Sequence, residues 1–206
     1  MSNLIWAPEK QSEFKYICGI DEVGLGSGVG CVVAVAVILD KDFNHPLLND
    51  SKKINKKYHK ELSEYIFEHA IDVSIGEIDN RRIDEINVLN ANFEAMHMAL
   101  DNLKTKPDFI LVDGNKFKRY SNIPYETIVK GDSKIKAIAA ASIIAKYYRD
   151  TKLIELHEEH PEYSWNTNSG YLTEAHRNAI KEHGITKYHR LTFISDDLLK
   201  KQIKLF

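Results

Sequence analysis

Apolar and polar residues follow two rhythms along this chain, and each change of rhythm marks an element. Residues 15–20 and 31–39 read as strands on either side of the run Gly24-Leu25-Gly26-Ser27-Gly28-Val29-Gly30. Cys31 to Leu39 is apolar throughout, which predicts a central strand covered on both faces. A helix of about residues 55–70 carries Leu62, Tyr65, Ile66 and His69 at helical spacing, and Ile71 to Ile78 alternates like a strand. A helical stretch from about 79 to 103 sets Phe93, Met96, Leu100 and Leu103 along one face. Pro107 ends that region, and Phe109-Ile110-Leu111-Val112 is a short buried strand running into Asp113-Gly114. Tyr125 to Val129 predicts a further strand, closed by Lys130-Gly131-Asp132. From about Lys134 to His160 the period is helical, with a stripe of Ile135, Ile138, Ala139, Ser142 and Ile143 small enough for close packing on a sheet. Thr173 caps another helix that ends at Gly184, and Ser195 to Phe206 starts as a charged amphipathic helix. The sum is one α/β domain over 1–206: a core of about 15–160, then a C-terminal helical part and tail of about 165–206.

Composition narrows the class only a little. At 206 residues, 43% hydrophobic and 28% charged, the chain reads as an ordinary globular protein. A net charge of −2 excludes a broadly basic surface, so a polyanionic partner would need a local patch. Lys52, Lys53, Lys56, Lys57 and Lys60 form one such cluster; Lys116, Lys118 and Arg119 form another, and Lys130, Lys134 and Lys136 a third. The alternative for each is a solvated helix face, preferred for Lys57 and Lys60. Cys18 and Cys31 sit in apolar strand-like runs and give no disulfide framework. Met1 to Lys10 lacks the apolar core of a signal peptide, and no run is long enough to span a bilayer, so a cytoplasmic location is expected. His157, His160, His176 and His189 show no metal-ligand spacing and read as surface or structural groups.

The candidate chemistry lies in the acids. Asp21-Glu22 falls between an apolar strand and the glycine run, where adjacent residues face opposite sides. Two like charges side by side raise a pKa unless a cation neutralises them, and hard divalent cations take oxygen ligands. A hairpin turn with a solvated acidic pair remains the alternative for this segment. Asp113 repeats the arrangement after its own strand, and Asp132 repeats it again. If those strands are neighbours, Asp21, Glu22, Asp113 and Asp132 could meet at one sheet edge around two divalent ions ~3.5–4 Å apart. Equally, each Asp could be an ordinary turn or cap residue.

The motifs taken together resemble ribonuclease HII, the type 2 ribonuclease H family. The segments are Gly19-Ile20-Asp21-Glu22-Val23-Gly24, Asn49-Asp50-Ser51-Lys52-Lys53, Leu111-Val112-Asp113-Gly114-Asn115 and Lys130-Gly131-Asp132. Ile138 to Lys146 with Arg149-Asp150, Ser169-Gly170-Tyr171, and His189-Arg190-Leu191-Thr192-Phe193 follow in the family's order. The resemblance implies a ribonuclease H-like fold, a mixed five-stranded sheet flanked by helices with a C-terminal helical part. It implies a monomer that cleaves RNA in RNA·DNA hybrids and 5′ of a ribonucleotide embedded in duplex DNA. Two Mg²⁺ or Mn²⁺ ions would be held by Asp21, Glu22, Asp113 and Asp132, leaving 3′-hydroxyl and 5′-phosphate ends. Gly24, Leu25, Gly26, Ser51, Lys52 and Tyr171 would contact substrate, with Tyr171 on the deoxyribose after the ribonucleotide. Asp150 is read instead as a helix-surface acid beside Arg149.

Leu25 stands where the family usually has arginine or lysine, and Ser27 and Cys31 stand where prolines are common. A looser loop and a lost cation are expected, and a non-catalytic or weakly active hybrid-binding protein is the competing function. The tail Gln202-Ile203-Lys204-Leu205-Phe206 resembles the short peptide that docks on the bacterial sliding clamp, through Gln202, Leu205 and Phe206.

Overall fold

β-Branched residues and alanines fill β2 (Val32–Ile38), and all seven of its positions are buried. Such a strand cannot lie at an edge. In the computed structural model of the chain, which describes residues 4–9, 13–48 and 54–203 (200–203 by backbone only), β2 sits second in a five-stranded sheet. The order is β3-β2-β1-β4-β5, with β1 at Ile17–Val23, β3 at Asp72–Ile78, β4 at Phe109–Asp113 and β5 at Tyr125–Ile128. β2 is antiparallel to both β1 and β3, whereas β4 runs parallel to β1 and β5 parallel to β4. The expected mixed sheet is therefore present.

Helices cover both faces. α1 (His59–His69) and α4 (Lys136–Glu159) bury one face, where Val33, Val35 and Val37 meet Leu62, Ile66, Ala140 and Ile144. α2 (Asn80–Ile86) and α3 (Val88–Asp101) bury the other against Cys18, Ile20, Ile110 and Val112. α5 (Trp165–Asn168), α6 (Glu174–His183) and α7 (Asp196–Ile203) follow α4, with Leu153, Tyr163, Trp165, Ile180, Ile194 and Leu198 in their own cluster. No helix among the described residues is long and apolar enough to cross a membrane.

Gly19 lets α4 lie against β1. A Cβ there would stand 2.4 Å from the Ala137 carbonyl carbon and 2.5 Å from the Ile138 nitrogen, backbone that cannot step aside. Gly19→Ala should therefore cost about 2–3 kcal/mol, the upper range for overpacking, read as a lower midpoint in urea at unchanged slope. An unchanged midpoint would show that α4 is not held this closely.

Three expectations need correction. The first strand does not stop at Ile20 but continues through Asp21 and Glu22 to Val23, because β2 goes on pairing with it as far as Val33. The helical stretch 79–103 is two helices. Asn87 adopts φ 66°, and its side chain accepts from the Leu89 and Asn90 amides, so a new N-cap interrupts the rhythm. The buried row of α3 is Ala91, Ala95, Met96, Ala99 and Leu100, while Phe93 is only half-buried.

Candidate active site

The pleat sorts the acids. Ile17 and Gly19 face α4, whereas Cys18 and Ile20 face α3, so Asp21 points to the α4 side and Glu22 to the opposite one. On β4, Ile110 and Val112 face α3, which turns Asp113 to the α4 side as well. The last paired residues of the two parallel strands are Ile20 and Val112, and one step further lie Asp21 and Asp113. Asp132 is buried in the short 3-10 turn Gly131–Ser133 after β5. Gly131 donates its amide to Asp113 Oδ1 at 2.6 Å, which ties that turn to the strand end.

Burial and crowding dominate the electrostatics. Removal from water pushes the Asp21 carboxyl well above the usual range, and the charges of Glu22 and Asp113 push it further. Opposing this, the Ser142 hydroxyl bonds to Asp21, and the Glu22 amide donates to Asp21 Oδ1 at 2.8 Å. Glu22 is pushed up to about 7 by burial and by Asp113, and Asp113 is raised by its own burial. Glu22 Oε2 is buried without a hydrogen-bond partner. An orphaned carboxylate oxygen among other carboxylates is a donor set suited to a hard cation. Among the described residues no three such side chains are already drawn together tightly enough to hold an ion.

The connection from β1 to β2 is a hairpin loop, but its acids are not solvated: Asp21 is only 6% exposed. Gly24 has φ +96°, and a Cβ there would meet Arg149 Nε at 2.5 Å. Arg149 donates to the Cys31 and Val29 carbonyls, and Arg190 to those of Gly24, Gly30 and Cys31. Gly28 is fixed twice, giving its amide to Gly170 and taking that of Arg190. Ser27 and Cys31, the residues expected to loosen the loop, are both hydrogen-bonded within it. Ser27 Oγ closes its own turn on Val29, and Cys31 supplies a carbonyl to both arginines. Tyr171 is half exposed, with its ring edge against Gly26.

Residues 18–196 match the family model described as ribonuclease HII. The chain belongs to the ribonuclease HII family. It is 52% identical over 175 residues to a ribonuclease HII from Phocaeicola vulgatus, covering 85% of this chain and 87% of that one. The ribonuclease H2 structure from Pyrococcus horikoshii has the same fold, with a TM-score of 0.74 at 24% identity over 92% of this chain and 98% of that one. A PCNA:RNase HII complex from Archaeoglobus fulgidus is similar at TM-score 0.71 and 25% identity, over 87% of this chain and 96% of that one. Ribonuclease HII is a metal-dependent endoribonuclease that degrades the RNA of RNA·DNA hybrids, so the competing reading as a mere hybrid binder is not favoured.

Asp21, Glu22, Asp113 and Asp132 lie at neighbouring strand ends, Gly24, Leu25 and Gly26 follow directly after β1, and Tyr171 rests against Gly26. Ser51 and Lys52 fall outside the described residues, as do the side chains of Gln202, Leu205 and Phe206. Lys60 pairs with Glu64 on an exposed helix face, as expected, while Lys134 and Lys136 donate to the Val129 and Phe43 carbonyls. Asp150, read as a helix-surface acid, is partly exposed on α4 and pairs with Lys146 one turn before it at 2.6 Å, whereas its neighbour Arg149 is buried. Sequence reading missed Ser142 as a partner of Asp21, and Arg149 and Arg190 as anchors of the glycine loop. The signal was available, since all three sit inside segments already matched to the family.

Proposed function

We propose that this enzyme cleaves 5′ of single ribonucleotides embedded in duplex DNA as well as within longer hybrids. Asp21, Glu22, Asp113 and Asp132 hold two divalent ions, Mg²⁺ or Mn²⁺. The observation that carries this reading is the buried, unpartnered Glu22 Oε2 among carboxyls raised by burial and mutual repulsion. Such a cluster is destabilising by itself and is relieved by cations. When bound, the ions lower the pKa of the attacking water and offset charge on the departing oxygen. Hydrolysis adds the water oxygen to phosphorus and breaks the bond to the 3′-oxygen of the preceding nucleotide, a deoxyribose oxygen where the ribonucleotide is single; that oxygen takes up a proton, leaving 3′-hydroxyl and 5′-phosphate ends. Gly24, Leu25 and Gly26 present main-chain groups to the 2′-hydroxyl that distinguishes RNA from DNA. Tyr171 packs on the following sugar, and Ser51 and Lys52 contact the backbone. The protein acts as a monomer in the cytoplasm, a reducing setting that suits its two buried free thiols.

The test is one cleavage experiment in Mg²⁺ and in Mn²⁺ on three duplexes: one bearing a single ribonucleotide, a continuous hybrid, and plain DNA. Incision 5′ of the single ribonucleotide is expected, with plain DNA intact. Cutting of hybrids alone would remove the junction activity from the reading.

Leu25 bears on affinity. Its side chain is half-buried against the apolar layer under α3, to which Phe193 also packs, so the loop keeps an anchor where the family has a cation. Leu25→Arg should tighten substrate binding by about tenfold at low salt, the worth of one charge-assisted bond, and steepen its salt dependence. Equal affinity and equal salt slope would rule out a missing phosphate contact. We also propose that the tail Gln202–Phe206 docks on a sliding clamp, a partner class present in the Archaeoglobus complex. Deleting 202–206 should abolish clamp binding in a pull-down and leave cleavage of free duplex unchanged; retained binding would dispose of the idea.

A further inference from the structure

Beneath the glycine loop lie two guanidinium groups that are almost wholly removed from water, Arg149 and Arg190. Among the described residues, every hydrogen bond they make goes to a main-chain carbonyl. Arg149 reaches Cys31 at 3.2 Å, Val29 at 3.0 Å and Ser169 at 3.4 Å. Arg190 reaches Gly30 at 2.9 Å, Gly24 at 2.8 Å, Leu25 at 3.4 Å and Cys31 at 2.9 Å. The acids that act on them are committed elsewhere: Asp150 pairs with Lys146, and Asp84 caps the Leu191 and Thr192 amides. Burial lowers both arginines, and Arg190 is brought down to about 9 with Arg149 contributing.

Two like charges buried against each other are costly where apolar packing would anchor a loop equally well. What the guanidinium fork adds is direction, because its donors are fixed in one plane. A peptide unit is planar and trans, so its N–H points opposite to its carbonyl. Drawing the Gly24 and Leu25 carbonyls onto Arg190 therefore turns the N–H groups of Leu25 and Gly26 away from the guanidinium. Gly26 is also the residue against which Tyr171 rests.

We propose that Arg149 and Arg190 are positioning residues that set the direction of the glycine-loop N–H groups, and through them the preference for ribose over deoxyribose. The inference rests on the substrate reading given above. It explains why residues of the C-terminal part and of α4 converge on one short loop: Arg190 fixes the Gly24 and Leu25 peptide planes, while Arg149 holds the far side of the loop at Val29 and Cys31, where the Gly30 amide is already given to the Tyr188 carbonyl.

Arg190→Lys keeps the charge and removes the fork. Binding would be measured in Ca²⁺, with no cleavage required, to a duplex with one ribonucleotide and to the all-DNA duplex of the same sequence. Affinity for the ribonucleotide duplex should fall by about tenfold, one hydrogen bond's worth, with affinity for plain DNA unchanged. A cooperatively melting variant that loses both affinities equally, or neither, overturns the proposal. Should Arg190→Lys fail to fold, the same comparison is made with Arg149→Lys. The Leu25 and Gly26 amide resonances of the unaltered protein are followed beside it. They should shift with the ribonucleotide duplex only, and equal shifts with plain DNA overturn the proposal. If the unaltered protein itself neither prefers nor cuts ribonucleotide duplexes, the substrate reading fails and the inference falls with it.

Discussion

Saturating Mn²⁺ should raise the melting temperature by about 5–10 °C at pH 8, and Asp113→Asn should remove that gain while slowing cleavage by at least about 10³-fold. Asparagine keeps the shape of the side chain and an oxygen able to accept from the Gly131 amide, so the turn bearing Asp132 has no reason to move. What changes is charge. Asp113 acts electrostatically on both Asp21 and Glu22, and the variant relieves that repulsion. In EDTA it should therefore melt no lower than the parent, and above neutral pH somewhat higher. The direction with pH follows from Glu22, raised to about 7 in the fold against an ordinary value near 4.5. A carboxyl raised by folding contributes its stability at low pH and loses it as pH climbs through about 7. Metal-free protein should thus lose this contribution between about pH 4.5 and 7, the window in which metal affinity grows as protons leave the ligands. Equal metal-induced stabilisation of parent and variant, or an active Asp113→Asn, would refute the assignment of this side chain as a ligand.

The features legible in the sequence are those whose physics is local. A short, continuously apolar strand followed by an acid, with a glycine close behind, predicts where a carboxylate will sit, and Asp21 and Asp113 sit there. Even so, local rhythm placed the end of β1 too early, because β2 keeps it extended as far as Val23. The stripe of small residues on α4 foretold close packing, yet not that Ser142 would hand its hydroxyl to Asp21, which depends on Gly19 letting the helix approach. Nor could Asn87 be read as a break within a continuous helical period, since its left-handed backbone leaves the apolar spacing nearly intact. Least legible were Arg149 and Arg190. Their partners in the glycine loop are carbonyls more than a hundred positions away, and a carbonyl has no letter in the sequence.

Acid should unfasten the C-terminal part before it unfolds the sheet, and His189 should carry most of that sensitivity. The Thr186 amide donates to His189 Nδ1 at 2.9 Å, which leaves the His189 proton on Nε2, 3.1 Å from His176 Nε2. Trp165 Nε1 also donates to that His176 nitrogen, at 3.0 Å, so His176 carries its own proton on Nδ1 and gives it to the Tyr171 carbonyl. This tautomer assignment follows from the hydrogen-bond network. In it neither ring has room for a second proton, because each vacant nitrogen already faces donors. Burial holds His189 down at about 3, with His176 and His160 adding to the effect, and burial lowers His176 as well. Unfolded histidine takes its proton near pH 6.5, so the neutral pair contributes in full above that value. For His189 the contribution is lost as pH falls toward 3, at about 1.4 kcal/mol per pH unit, and His176 acts in the same direction. Two units of acidification should then remove about 3 kcal/mol through His189 alone, or roughly 6–12 °C in melting temperature. The carboxylates of the site change in the opposite sense with pH, so the clean measurement is a difference. His189→Gln should be less stable than the parent at pH 8 yet show a flatter decline toward pH 4.5, whereas parallel declines would exonerate the pair. In a Trp6→Phe background, Trp165 fluorescence should change ahead of the far-ultraviolet signal. Because His176 holds the Tyr171 carbonyl and His189 adjoins Arg190, the same protonation should weaken substrate binding in Ca²⁺ before it touches secondary structure.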